Sequence, residues 1–221
     1  MTDLGYRIVE GVLSQDECDS LTTAFTGDTQ IRGRAGARHL MANPQVREIA
    51  SDPRLLHLAA EALGGRAVPY RATLFEKSGR ANWLVVWHQD TALPLVKKVI
   101  SDEWGPWSIK ADVLYAHAPN WALDRIVALR VHLDASTRDN GPLRVVPGTH
   151  RAGVLTDDEV FALARRANPV ECVVERGGIL AMRPLLIHSS SKARLDLPRR
   201  VLHIEYADRL DLGHGARLAI A

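Results

Sequence analysis

The sequence predicts a mainly β fold with flanking helices (α+β), built on a double-sheet jelly roll, and three observations carry that prediction. From residue 67 onward the apolar residues fall into short runs of strand length, turn residues separate those runs, and helical periodicity is confined to the first third and one later insertion. Strands that alternated with helices would instead predict a parallel sheet. A chain of 221 residues, 46% hydrophobic and 24% charged, is of ordinary globular composition, and a mainly β chain of this length folds as one domain. The expected organisation is a single domain over 1–221, with a helical brace over 1–66, a jelly-roll core over 67–207 and a C-terminal tail over 208–221.

The first helix is announced by Ser14-Gln15-Asp16-Glu17, a capping box, with Leu13, Cys18, Leu21, Ala24 and Phe25 at helical spacing. Asn43-Pro44 is a second start. Asp52-Pro53 is a third, followed by Leu55, Leu56, Leu58, Ala59, Ala62 and Leu63 and stopped by Gly64-Gly65. Strands are expected over 68–77, 83–88, 109–116, 125–133, 143–146, 170–174, 179–182, 185–187 and 201–206. Turn signals at Lys77-Ser78-Gly79, Asn140-Gly141-Pro142, Pro147-Gly148 and Gly177-Gly178 separate them. One helix interrupts the series, opened by Thr156-Asp157-Asp158-Glu159.

With 28 basic and 26 acidic residues the formal charge is +2, so no global field favours nucleic acid or an anionic membrane. The N-terminal residues show no basic segment followed by an apolar stretch, and no apolar run approaches the roughly 18–20 residues of a membrane span. A cytoplasmic protein acting on a small molecule, without nucleic-acid or membrane partners, is expected; oligomeric state is not encoded. Cys18 and Cys172 lie in apolar patterns and read as buried free thiols.

Chemistry concentrates where the run Val85-Val86-Trp87 ends in His88-Gln89-Asp90. Alternation along a strand puts His88 and Asp90 on one side, an imidazole beside a carboxylate. Leu185-Leu186-Ile187-His188 offers a second histidine at an apolar strand end. Two histidines and one carboxylate form a facial triad, which leaves positions open on iron, whereas a closed structural zinc site wants four ligands, usually with thiolates. Arg199 opens a later strand, where a guanidinium can pair bidentately with a carboxylate of a metal-bound acid. Its neighbour Arg200 should face the other way.

These features together resemble the phytanoyl-CoA dioxygenase family of iron and 2-oxoglutarate oxygenases. The residues that carry the resemblance are His88-Gln89-Asp90, the run from Asn140-Gly141-Pro142 through Pro147-Gly148-Thr149-His150-Arg151, the Arg176-Gly177-Gly178 turn, and His188-Ser189-Ser190-Ser191 followed by Arg199. The resemblance covers roughly residues 67–207. The resemblance implies a double-stranded β-helix (cupin-like) core, Fe(II) on His88, Asp90 and His188, and 2-oxoglutarate anchored by Arg199 with Ser190 assisting. It implies O2 as the second co-substrate, release of succinate and CO2, and hydroxylation as the default outcome. Related halogenases lack the carboxylate, so Asp90 argues against halogenation.

Asn82 shares parity with His88 and is a candidate co-substrate contact, with strand capping as the plainer role. Trp107 and Lys110, after the metal motif, are candidate substrate contacts, although a tryptophan beside a proline also suits loop packing. His39, His57, His117, His132, His150, His203 and His214 are expected on the surface, in packing or in loops, with His117 able to reach over the pocket mouth. The glycines lack phosphate-loop spacing, and there is no Gly-x-Ser-x-Gly elbow. The alternative to an enzyme is a cupin-like metal- or ligand-binding protein without turnover, which would have no need of Arg199.

Overall fold

The computed structural model describes residues 3–26, 32–33, 36–77 and 82–221; the turn signal at Ser78-Gly79 lies outside them. Helices begin where the sequence places their starts. In α1 (Gln15–Thr26) the Ser14 hydroxyl accepts from the Glu17 amide, and the Glu17 carboxylate accepts from the Ser14 amide at 2.7 Å. Asn43 caps α2 (Pro44–Ala50), Asp52 caps α3 (Pro53–Leu63), and Gly64 ends α3 in the left-handed conformation. A single turn, α4 (Asn120–Leu123), has no counterpart among the expected elements. The Thr156 box opens α5 (Asp157–Arg166).

The strands run, in order, β1 (Tyr6–Val9), β2 (Arg32–Gly33), β3 (Gly36–Arg38), β4 (Val68–Lys77), β5 (Val85–His88), β6 (Ala92–Leu95), β7 (Trp107–Lys110) and β8 (Val113–His117). They continue with β9 (Ile126–His132), β10 (Leu143–Val145), β11 (Val170–Cys172), β12 (Ile179–Met182), β13 (His188–Ser190), β14 (Arg199–Ala207), β15 (Asp211–Gly213) and β16 (Ala216–Arg217). Segment 1–66 is therefore more than a helical brace, because β1 to β3 lie within it and join the large sheet at its two ends. The expected strand 109–116 is a hairpin, β7 and β8, turned at Ala111 and Asp112. Residues 185–187 are not a strand; pairing starts at His188 instead.

Two antiparallel sheets form the jelly roll. The larger has seven strands in the order β1-β12-β9-β14-β4-β3-β2, and the smaller has four in the order β11-β10-β13-β5. Alternation divides the larger sheet's residues by face. Leu74 and Ala72 of β4, Leu129 and Val131 of β9, and Leu202, Ile204 and Tyr206 of β14 pack with α1 to α3 in one apolar core. The opposite face carries Arg71, Thr73, Phe75 and Lys77 of β4, Arg199, Val201, His203 and Glu205 of β14, and Arg130 and His132 of β9, and it looks toward the smaller sheet. The pairings Lys77 with Arg199, Thr73 with His203 and Arg71 with Glu205 align that polar inner face in rows. Cys18 and Cys172 are buried and unbridged.

Among the described residues, no helix is long and apolar enough to cross a membrane.

Candidate active site

The two histidines meet because β5 and β13 pair with His88 directly opposite His188. Their rings lie 4.1 Å apart between centroids. Each imidazole donates Nδ1–H to the carbonyl two residues before it, Val86 and Leu186, both at 2.8 Å, if Nε2 is the unprotonated nitrogen. That tautomer turns both Nε2 lone pairs toward Asp90, whose oxygens lie 3.8 Å from His88 and 3.5 Å from His188. The three ligand atoms fall within 4.8 Å of one another. Burial holds the His188 pKa down at about 4 against the pull of Asp90, so the ring is neutral at pH 7. Burial alone would raise the Asp90 pKa, but His188 and His88 outweigh it and hold the carboxyl below the usual carboxylate range.

Gln89, between His88 and Asp90 in the chain, spends its side-chain amide on neighbouring backbone. Its amide donates to the carbonyls of Gly153 and Leu185 and accepts from the Leu155 amide, while the Asp90 amide donates to the Pro184 carbonyl. The metal motif is thus tied to the segment that leads into His188. Thr149 adds a second tie, its hydroxyl accepting from the Ile187 amide and donating to the Val146 carbonyl. The Pro-Gly-Thr-His-Arg run is structural support for the distal histidine.

Behind the triad is an inner cavity of about 90 Å³, walled by residues that include Phe75, Trp83, Arg130, Ser190 and Arg199. Arg199 is 3% exposed, and the one side-chain hydrogen bond it makes among the described residues, Nη2 to Ser190 Oγ, is long at 3.4 Å. Its Nε has no partner. Lys77, directly across the strand pair, is 1% exposed and donates to Ser190 Oγ at 2.7 Å. Burial, then Arg199 and Arg130, bring the Lys77 pKa down to about 7. Arg130 contacts His203 Nδ1 at 3.1 Å, and its Nε is also without a partner. A buried guanidinium with an unpartnered N–H costs free energy unless an anion fills the space. Gly141 (φ +69) completes this wall: its carbonyl accepts from Ser190 Oγ, and a Cβ there would lie 2.4 Å from the Ser191 carbonyl oxygen.

An outer cavity of about 400 Å³ shares His88 and Asp90 with the inner one, and its wall includes Arg38, Arg71, Lys110, Tyr115, His117 and His203. Of the sequence candidates, His88, Asp90, His188, Ser190 and Arg199 converge on the inner cavity and Lys110 on the outer. Asn82 and Trp107 line neither. The Asn82 amide clamps the backbone of Ala193, donating at 2.9 Å and accepting at 2.7 Å. Its expected parity fails because the strand begins only at Val85 and the β5–β13 register shifts between His188 and Ser190, so Val85 and His88 both face the cavity. Trp107 packs on the apolar cluster beneath β6 to β8, with the Lys98 ammonium 5.9 Å from its ring. Sequence reasoning missed Lys77, Arg130, His203 and Arg71. Their one signal is a polar residue at every second position of otherwise apolar strands.

A jelly roll that brings two histidines and a carboxylate together at the mouth of a cationic inner cavity has the donor set that a mononuclear facial-triad site requires. A sequence model of the family "Phytanoyl-CoA dioxygenase (PhyH)" matches residues 1–201, and the chain belongs to that family. It is 25% identical over 186 residues to an L-proline trans-4-hydroxylase of Streptomyces griseoviridis, covering 70% of this chain and 59% of that protein. The chain thus spans about three fifths of that relative's length. The fold is shared with AviO1 from Streptomyces viridochromogenes, at 23% identity and a TM-score of 0.65, covering 98% of this chain and 93% of that one. It is shared also with EctD from S. alaskensis, solved with bound Fe, at 22% identity and a TM-score of 0.70, covering 99% and 84%.

Proposed function

We propose that this chain is a non-haem Fe(II)- and 2-oxoglutarate-dependent dioxygenase that hydroxylates a small organic molecule, consuming O2 and releasing succinate and CO2. The observation that carries this reading is one cavity in which a His-Asp-His donor set adjoins a buried arginine with an unpartnered N–H. Two imidazoles and one carboxylate suit Fe(II) and leave coordination positions open for co-substrates. Bound there, iron supplies the chemistry that couples decarboxylation of the 2-oxo acid to oxidation of the substrate.

The chain's own residues bind and place. His88 and His188 present Nε2, and Asp90 contributes the negative charge. Arg199 takes the far carboxylate of 2-oxoglutarate in a bidentate pair, with the Ser190 hydroxyl, fixed by Lys77 and Gly141, as a further contact. Asn82 fixes the segment that follows Ser190 through Ala193. The named activity of the proline hydroxylase relative, and an EctD structure with 2-oxoglutarate and 5-hydroxyectoine, support a small-molecule hydroxylase.

The test is an anaerobic titration of Fe(II), then of 2-oxoglutarate, into the protein and its variants. His188→Ala is expected to stay folded and lose stoichiometric iron binding. Arg199→Ala is expected to weaken 2-oxoglutarate at least about tenfold, since charge-assisted bonds contribute about 1.5–3 kcal/mol, with Arg199→Lys a partial rescue. Arg200→Ala should leave that affinity unchanged, because Arg200 lies on the other face, paired with Asp134 at 2.7 Å. Full iron occupancy in His188→Ala, or unchanged affinity in Arg199→Ala, would overturn the assignment. Iron and 2-oxoglutarate binding without succinate release across a library of small molecules would favour the binding protein without turnover.

A further inference from the structure

The outer cavity opens on His88 and Asp90, and among the described residues its wall holds more basic side chains than acidic ones. Three basic side chains line it: Arg38 from β3, Arg71 from β4 and Lys110 from β7. Arg71 is already engaged. Its guanidinium pairs with Glu205, Nη2 to Oε1 at 2.6 Å, and donates to the Ala92 carbonyl. Arg38 and Lys110 have no such partner among the described residues. Among the described residues neither pairs with a carboxylate, and the one acidic residue in this wall, Asp90, is turned to the two histidines.

Two strands from different sheets deliver these cations to the same space. Arg38 stands opposite Thr73 in the β3–β4 pairing, and directly opposed residues share a face, so it shares the side of the sheet that lines the cavity. Lys110 arrives from the β7–β8 hairpin, its ammonium 5.0 Å from the centre of the Tyr115 ring. The Tyr115 hydroxyl is in turn held by His39 Nε2 at 2.8 Å. Partial burial and the nearby Arg38 and Arg71 hold the Lys110 pKa below its ordinary value, with Asp90 pulling the other way. Like charges gathered at a partly desolvated wall raise the free energy of the empty site and are relieved by an anion. Isolated surface charges would carry no such meaning, but these two converge on a cavity that contains the metal ligands.

We infer that the substrate is a small molecule bearing an anionic oxygen group, a carboxylate or a phosphate ester, which Arg38 and Lys110 hold at the outer wall while its body lies along Tyr115 toward His88 and Asp90. This rests on the oxygenase reading for the word substrate; the anion site itself does not. No acidic side chain of the described wall is left over to take an ammonium group, so the site selects for anions and against amines.

Calorimetric titration tests this with benzoate, phenyl phosphate, benzamide and benzylamine, anaerobically, on the protein loaded with Fe(II) and saturating 2-oxoglutarate, and again on the metal-free protein. Both anions are expected to bind at least about tenfold tighter than the amide or the amine. The stronger of the two identifies the group. Arg38→Ala and Lys110→Ala should each weaken the anions about tenfold, and Lys110→Glu should reverse the order in favour of benzylamine. Both side chains are exposed, so these variants are expected to fold. Saturating 2-oxoglutarate and Arg199→Ala should both leave probe binding intact. Equal binding of charged and neutral probes, loss of the anion on adding 2-oxoglutarate, or indifference to Arg38 and Lys110 would each overturn the inference. Because the probes are read without turnover, failure of the oxygenase reading would appear separately, as unchanged 2-oxoglutarate affinity in Arg199→Ala.

Discussion

Lys77 and Arg199 face each other across β4 and β14 with no carboxylate of the described residues between them, and a guanidinium stays charged at any working pH, so the lysine is the group that yields its proton. Unfolded, Lys77 keeps its proton to about 10.5; folded, only to about 7. Its burial therefore costs stability below pH 7, and that cost fades as the pH rises from about 7 toward 10.5. A dianion in the inner cavity favours the charged amine, so binding above pH 7 takes up a proton and weakens as the pH rises. At saturating iron, 2-oxoglutarate affinity is expected to fall by up to about tenfold per pH unit between pH 7 and 9, and Lys77→Met should flatten that profile. Among the described residues, the groups around the amine are Arg199, Arg130, the Ser190 hydroxyl, the Ser191 carbonyl and the Trp83 ring. A profile equally steep in Lys77→Met would assign the proton elsewhere. Residues of this kind were hard to read from the chain. His-x-Asp announces itself within three residues, whereas Lys77 and Arg130 acquire meaning only from the strands beside them.

At the level of elements, start signals were legible because a cap is a local contact, and α1, α2, α3 and α5 begin where their side chains predict. Turns without glycine were not. The β7–β8 hairpin turns through Ala111 at φ 45° and Asp112 at φ 62°, two successive left-handed residues of the kind a two-residue hairpin demands, and nothing in Lys110-Ala111-Asp112-Val113 advertises it. Strand β6 was hidden by Pro94 in its middle. Alanine in the left-handed region is unfavourable by roughly 1–2 kcal/mol, so Ala111→Gly should raise Tm by about 2–4 °C, even after the entropy glycine costs the unfolded chain is subtracted. Thermal unfolding of the two proteins checks it. A lower Tm would mean that the turn gains nothing from relief at that position.

Across the whole molecule, the large sheet separates two tasks by parity. Ala72 and Leu74 of β4, Leu202, Ile204 and Tyr206 of β14, and Val127, Leu129 and Val131 of β9 pack on the helices, while Arg71, Thr73, Phe75, Arg130, Arg199 and His203 line the cavities. Leu129, fully buried in the helix-facing core, is expected to cost about 2–5 kcal/mol of stability on truncation to alanine. Iron and 2-oxoglutarate affinities, measured below the new melting temperature, should be unchanged. A loss of affinity in a still-folded Leu129→Ala would show that the two faces are coupled. The jelly roll itself was legible from strand length and spacing; the division of labour was not, because it depends on which strands become neighbours. The register that sets His88 opposite His188 joins positions a hundred residues apart in the chain. No local fragment contains the His-Asp-His cluster, so closing that long loop must precede it. A metal bound there is in consequence a brake on unfolding and not a seed for folding: it holds shut a ring that the chain must first close unaided.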